Sequence, residues 1–218
     1  NTRTFLTRHG RRNTDDNDLA FDAASGLIAY SVRQNAVSLQ DQRVALYEIA
    51  TGRETVVGDI PGTDNNISGY TGLAFFRSSG NLYLAATGSA SKAIKIFLVD
   101  TTPAPAPSWT WEKRVDISSV LPTGARAKNI DTDSVGNIFF GAFYAPSQIY
   151  KLTDPAGSAS VAVWQTDSHP STSANVVTID EGNNLYYASQ GADAASSYIK
   201  KYNSSGSLVA SFGTGGTL

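Results

Sequence analysis

The sequence predicts an all-β fold: a β-propeller built from four four-stranded blades of about 45–55 residues each, with one extra strand at the N-terminus. Three observations predict it. A hairpin motif recurs four times, as LAFDAASGLIAYS, LAFFRSSGNLYLAA, NIDTDSVGNIFFGA and VTIDEGNNLYYAS. The turn glycines Gly26, Gly80, Gly136 and Gly182 lie 54, 56 and 46 residues apart by subtraction, which is a blade-sized period. No window sustains apolar residues at i, i+3, i+4 and i+7, so helices have no foothold.

Within each unit the elements follow in order. An apolar strand, a short polar turn with glycine and a second strand rich in aromatic or branched residues form the hairpin. A polar connection then leads to a third strand, in which an aliphatic residue precedes a bulky one by three positions: Val44 and Tyr47, Ile94 and Phe97, Ile149 and Leu152, Ile199 and Tyr202. The expected fourth strands are ETVVGDI, SWTWEKRVDI, SVAVWQT and SLVASFG. The repeats run over about 14–60, 68–118, 126–167 and 174–216. The proline-rich run TTPAPAPS falls between the third and fourth strands of the second unit and reads as a stiff exposed loop. Residues 1–13, containing TRTFLT, match the last strand of a blade, so they are expected to complete a blade or to pair with a neighbour. One blade cannot bury both its faces, so the sheets must stack around an axis with their aromatic and branched side chains between them.

IDEGNNLYYASQG followed by YIKKYNSSGSLVASFGTGG resembles the NHL repeat, and IDTDSVGNIFFGAF with QIYKL is similar. The first two units share only its outline. The resemblance implies a propeller and carries little about activity. Where NHL units have an Asp after the second strand, this chain has Ser31, Ala86, Ala142 and Ser189; where an Arg opens the third strand, only Arg43 matches, against Ala93, Gln148 and Tyr198.

Composition narrows the function classes. The chain has 218 residues, 41% hydrophobic and 17% charged, with a formal net charge of −2. Its 17 Lys and Arg are scattered, which argues against nucleic acid as a partner. Apolar runs are strand-sized, far below the roughly 20 residues of a membrane-spanning helix. Cysteine is absent, which removes disulfides, thiolate catalysis and Cys-ligated zinc together. Methionine is absent too, including at position 1, pointing to a processed N-terminus or an excerpt. Low charge and abundant Ser, Thr, Ala, Gly and Asn lean toward a secreted or surface-displayed protein, and Asn66 and Asn203 lie in glycosylation sequons.

Several motifs invite chemistry. Arg8-His9-Gly10 after a strand, with Asn13 beyond, is similar to the nucleophile segment of histidine phosphatases, but a polar loop and hairpin follow where that family has a helix. The only other histidine, His169, sits before a proline in a connection. The run from Asp131 to Gly136 fails the EF-hand pattern at Val135 and Ala142 and reads as a hairpin turn. Asp15-Asp16-Asn17-Asp18 is the one candidate calcium site, and no other cofactor is expected.

Propeller ligands usually sit on the face where first strands begin, which nominates Asn17, Asp18, Tyr70, Lys128, Asn129 and Asn175 as a ligand-binding set. Gluconolactonase-like hydrolases hold an axial metal with Glu, Asn and Asp; Asp18, Asn129 and Asn175 imitate part of that set, and no Glu completes it. The expected function is an extracellular binding or structural module that recognises protein or glycan and associates with other copies of itself through terminal strands. A calcium-dependent lactonase or esterase is the alternative, and Trp109 and Tyr144 are the candidate glycan platforms.

Overall fold

The computed structural model describes residues 18–33, 42–56, 70–88, 92–102, 108–143, 148–166, 173–190 and 197–218. The expected N-terminal strand, His9, Asn17, Asn66, Tyr144 and His169 lie outside the described residues. Four antiparallel sheets are present. The first contains β1 (Leu19–Asp22), β2 (Leu27–Arg33), β3 (Gln42–Glu48) and β4 (Arg53–Val56), in sequence order. The second contains β5 (Tyr70–Ser78), β6 (Asn81–Gly88), β7 (Ala93–Asp100) and β8 (Ser108–Asp116). The third contains β9 (Arg126–Thr132), β10 (Ile138–Phe143), β11 (Gln148–Thr153) and β12 (Ser160–Thr166), and the last β13 (Ser173–Ile179), β14 (Leu185–Gln190) and β15 (Tyr198–Tyr202). This is a four-blade propeller arrangement, as the repeat predicts.

The hairpin turns explain the spacing. Ser79 and Gly80 both have positive φ, 50° and 82°, between the paired residues Ser78 and Asn81, the geometry of a two-residue turn that matches strand twist. Gly26 and Gly136 hold the corresponding left-handed position in their turns. In the fourth hairpin that position belongs to Asn183, φ 58°, and not to Gly182, so the last spacing is 47 (183 minus 136). Asn tolerates this conformation better than other side-chain-bearing residues, which is why a glycine count misplaces the turn by one.

The fourth blade also departs from expectation at its outer edge. SLVASFG forms no strand: Leu208 makes a single bridge to Tyr202, the chain turns through Gly213, Gly215 and Gly216, all at positive φ, and Thr217 and Leu218 return to β15. Ile199 and Leu218 exchange backbone hydrogen bonds at 3.0 and 2.9 Å. The tail thus occupies the β15 edge that an extra strand would need.

Each blade has a trailing face, toward the preceding blade, and a leading face, toward the next. Side chains alternate along a strand, so the two residues of each third-strand pair, three apart, point to opposite faces. Val44, Ile94 and Ile149 lead; Phe97, Leu152 and Tyr202 trail. Three inter-blade cores result. Ala20, Leu27, Ala29, Val44 and Leu46 of the first blade meet Leu73, Phe75, Leu82, Leu84 and Phe97 of the second. Ala74, Phe76, Ile94 and Ile96 meet Ile130, Ile138, Phe140 and Leu152, a core to which Ile117, Leu121 and Ala125 of the β8–β9 connection contribute. Phe139, Ile149 and Trp164 meet Val177, Leu185, Tyr187, Tyr198 and Tyr202. Among the described residues there is no comparable core between the fourth blade and the first.

Candidate axial site

The innermost strands β1, β5, β9 and β13 surround a cavity of about 370 Å³. Each presents one unpaired strand edge to the axis, and the backbone groups on that edge need partners. Side chains of neighbouring blades supply them. Asp18 accepts from Leu73 N–H at 2.7 Å, crossing from the first blade to the second. Asn129 Oδ1 accepts from Val177 N–H at 2.8 Å, and Asp131 Oδ2 from Ile179 N–H at 2.8 Å and Thr178 Oγ1 at 2.9 Å, crossing from the third to the fourth. Thr132 donates back to the Phe75 carbonyl at 2.7 Å. The repeat makes this regular: Asp18, Gly72, Asn129 and Val176 each precede the first trailing apolar residue of their blade.

Gly72 holds its junction by having no side chain. A Cβ there would lie 2.8 Å from the Lys128 carbonyl oxygen and 2.9 Å from Ile130 N, so β5 approaches β9 backbone to backbone. Away from the axis, Arg77 pairs with Asp22 at 2.7 Å, and Ser134 and Asn183 exchange hydrogen bonds between adjacent hairpin turns at 2.8 and 2.9 Å.

Of the predicted ligand-binding set, the cavity lining includes Asp18 and Asn129. Lys128 is half-buried next to Asn129 and is not part of the described lining; Tyr70, the first residue of β5, and Asn175, within β13, have side chains outside the described set. The sequence reading passed over Asp131, Thr132 and Thr178 as site residues. The signal for Asp131 was available, because it stands two positions after Asn129 in a strand and so shares its face.

The two carboxylates define the electrostatics. Burial raises the Asp18 carboxyl above the ordinary carboxylate range, opposed by hydrogen bonds from Leu73 and Leu19 and reinforced by the charge of Asp131. Among the described residues, no lysine, arginine or histidine lines the cavity. Asp15, Asp16 and Asn17 of the nominated calcium site lie outside the described residues, and the described carboxylates by themselves fit a hard cation poorly. Calcium takes six to eight oxygens, whereas Asp18 already accepts Leu19 and Leu73 N–H, and Asp131 accepts Thr132 and Ile179 N–H plus the Thr178 hydroxyl. Among the described residues, no group of three or more His, Cys, Asp or Glu is placed to share a metal.

Other nominated residues among those described make structural contacts. Asp133 accepts from Val135 N–H, Asn137 N–H and Asn137 Nδ2, so the Asp131–Gly136 run is the predicted hairpin turn. Trp109 stands half-buried, edge-on to Phe97 at 5.6 Å, and is therefore committed to the first core. Asn203 Oδ1 closes the turn after β15 by accepting from Ser205 and Ser207 N–H.

No protein-family model matches the chain, and no curated protein matches it significantly. Solved structures do. The major Malassezia sympodialis allergen Mala s 1 superposes with a TM-score of 0.56 at 14% identity, over 85% of this chain and 59% of the allergen. Sqt1 from Chaetomium thermophilum gives 0.53 at 13% identity, over 86% of this chain and 42% of its own. A putative 6-phosphogluconolactonase from Bacteroides uniformis gives 0.51 at 10% identity, over 88% and 69%. At these identities the likeness establishes the fold alone. The chain spans about three-fifths of the allergen's length and less of Sqt1's.

Proposed function

We propose that this protein is a non-catalytic binding module of the propeller class, displayed outside the cell, whose axial cavity takes a small ligand rich in hydrogen-bond donors, such as an amine or a polyol. The observation that carries this reading is the cavity's charge: among the described residues, two carboxylates, an amide and two threonine hydroxyls line it, and no cation does. Such a lining attracts donors and repels anions. The carboxylates also have fixed structural partners, which favours a static site over one that must exchange protons or hold a metal. The low charge, the polar small-residue composition and the sequons support the extracellular setting. The assignment of the third and fourth blades to the NHL type rests on the resemblance of IDEGNNLYYASQG and its neighbour.

A thermal-shift panel of amines, polyols, phosphates and carboxylates tests the reading. Stabilisation confined to amines or polyols, lost in Asp18→Asn, agrees with it. Saturable stabilisation by a phosphorylated or carboxylated compound, or lactone turnover that tracks with bound calcium by elemental analysis, contradicts it and favours the hydrolase.

A further inference from the structure

The four repeats supply an internal control for their own ends. Leu73 and Phe75, on the trailing face of the second blade, are 3% and 9% exposed against the first blade. Leu19 and Phe21 occupy the same two positions of the same LAF motif in the first blade, and both are 54% exposed. The opposite end behaves likewise. Val44 and Ile94 on the leading faces are fully buried and Ile149 nearly so, whereas Ile199, their counterpart in the fourth blade, is 40% exposed. Among the described residues, the first blade thus presents an open trailing face and the fourth an open leading face.

These two faces suit one another in chemistry as well as in type. At the junctions into the second and fourth blades, the N–H of Leu73 or Val177 is received by the preceding blade's Asp18 or Asn129. The corresponding donor of the first blade, Leu19 N–H, is already received by Asp18 of its own blade at 2.9 Å. A blade stacking onto the first one needs no acceptor at that position, and the fourth blade has none: Val176 stands there, exposed and apolar. Leu19 and Phe21 thus have apolar partners of the right kind in Val176 and Ile199. Among the described residues, the leading face carries Lys201, paired with Asp180 of its own blade at 3.7 Å, and the trailing face Glu54, which accepts from the Tyr30 hydroxyl. Phe212 of the tail rests on Tyr186 at 5.6 Å and leaves Val176 and Ile199 open.

We propose that a second copy of this chain stacks head to tail on the first, the leading face of one fourth blade covering the trailing face of the other's first blade. The contact is between sheet faces and not between strand edges, since the tail already pairs with the β15 edge. Each copy carries both halves of the junction, so the arrangement closes when two copies offer both faces to each other. Leu19, Phe21 and Val176 also line the axial cavity, so the junction and the proposed ligand site share residues, but the inference rests on the exposed faces and not on the identity of the ligand.

Light scattering on the full chain, over a concentration series, reads the particle mass. The expected result is a particle of two or more 23.1 kDa chains. Leu19→Asp with Phe21→Asp spoils the trailing face, and Val176→Asp with Ile199→Asp spoils the leading face; each double variant alone is expected to run as a monomer with an unchanged circular dichroism spectrum. Mixing the two is expected to restore a pair, because each retains the face the other lacks. A monomeric native chain at high concentration overturns the proposal. So does either variant still assembling alone, or a mixture that stays monomeric while both components are folded, since like-to-like pairing or closure within one chain then accounts for the faces.

Discussion

The first and second blades share a sequence motif and differ in what it does. LAF at 19–21 and LAF at 73–75 have the same strand, the same alternation and the same hairpin following, yet only the second pair of large side chains is covered. The difference lies in position within the array: a trailing face is core only when another blade precedes it. Burial is thus a property of the junction and not of the residue, as expected when stability is a sum of nearest-neighbour interfaces.

Truncation at paired positions sharpens this most strongly. Leu73→Ala or Phe75→Ala empties the first inter-blade core and is expected to cost about 2–5 kcal/mol in urea unfolding. Leu19→Ala is expected to cost under about 1 kcal/mol when the chain is dilute. Similar losses at both sites would mean that the first blade's trailing face is covered after all.

The junctions themselves give the next effects. Gly72→Ala forces a methyl against the backbone of the following blade and is expected to cost about 1–3 kcal/mol. Gly26→Ala, which meets nothing within 4 Å but must keep φ at 67°, is expected to cost about 1 kcal/mol. Asp131→Ala strips acceptors from Ile179 N–H and the Thr178 hydroxyl, an expected loss of about 1–3 kcal/mol that Asp131→Asn recovers in part. Equal tolerance of Asp131→Ala and a surface control would show that the stitching is dispensable.

These residues also mark how far the sequence could be read. The four hairpins, their order and the third-strand pairs were legible because period-two alternation and turn chemistry are local. The pairs even encode both faces, since residues three apart in a strand point oppositely. The identity of each face's partner was not legible: Leu19 and Leu73 look alike until the stack is known. The cavity was partly legible, through Asp18, which directly precedes β1, and Asn129, which the structure places within β9 and not at its entry. Asp131 was masked by its own turn-like neighbours, and the tail's return to β15 depended on glycine conformations that SLVASFG does not announce.

The smallest effects concern pH. The Asp180 carboxyl is held at about 2, chiefly by hydrogen bonds from the Asn184 backbone and side chain. Its folded value lies below the 3.8 of the unfolded chain, so its stabilisation is present above that value and lost as pH falls toward 2. Asp18 has the opposite sign: burial raises its carboxyl, so the folded chain binds the proton more readily and loses stability as pH rises through the interval above 3.8. Asp180→Asn is expected to flatten the acid limb of a stability profile, and Asp18→Asn to remove the opposing slope above it. The reverse assignment of slopes would place the buried carboxylate elsewhere.

The absence of cysteine makes the central comparison directly measurable. Single Leu19→Cys and Leu73→Cys variants, each carrying the chain's one thiol, can be modified under native conditions while the rate is followed. The unequal fates of the two LAF motifs predict that the thiol at position 19 reacts many-fold faster than that at position 73 in dilute solution and becomes protected as concentration rises. Equal rates at the two positions, or a slow thiol at 19 that concentration does not affect, would contradict an array with an open first face.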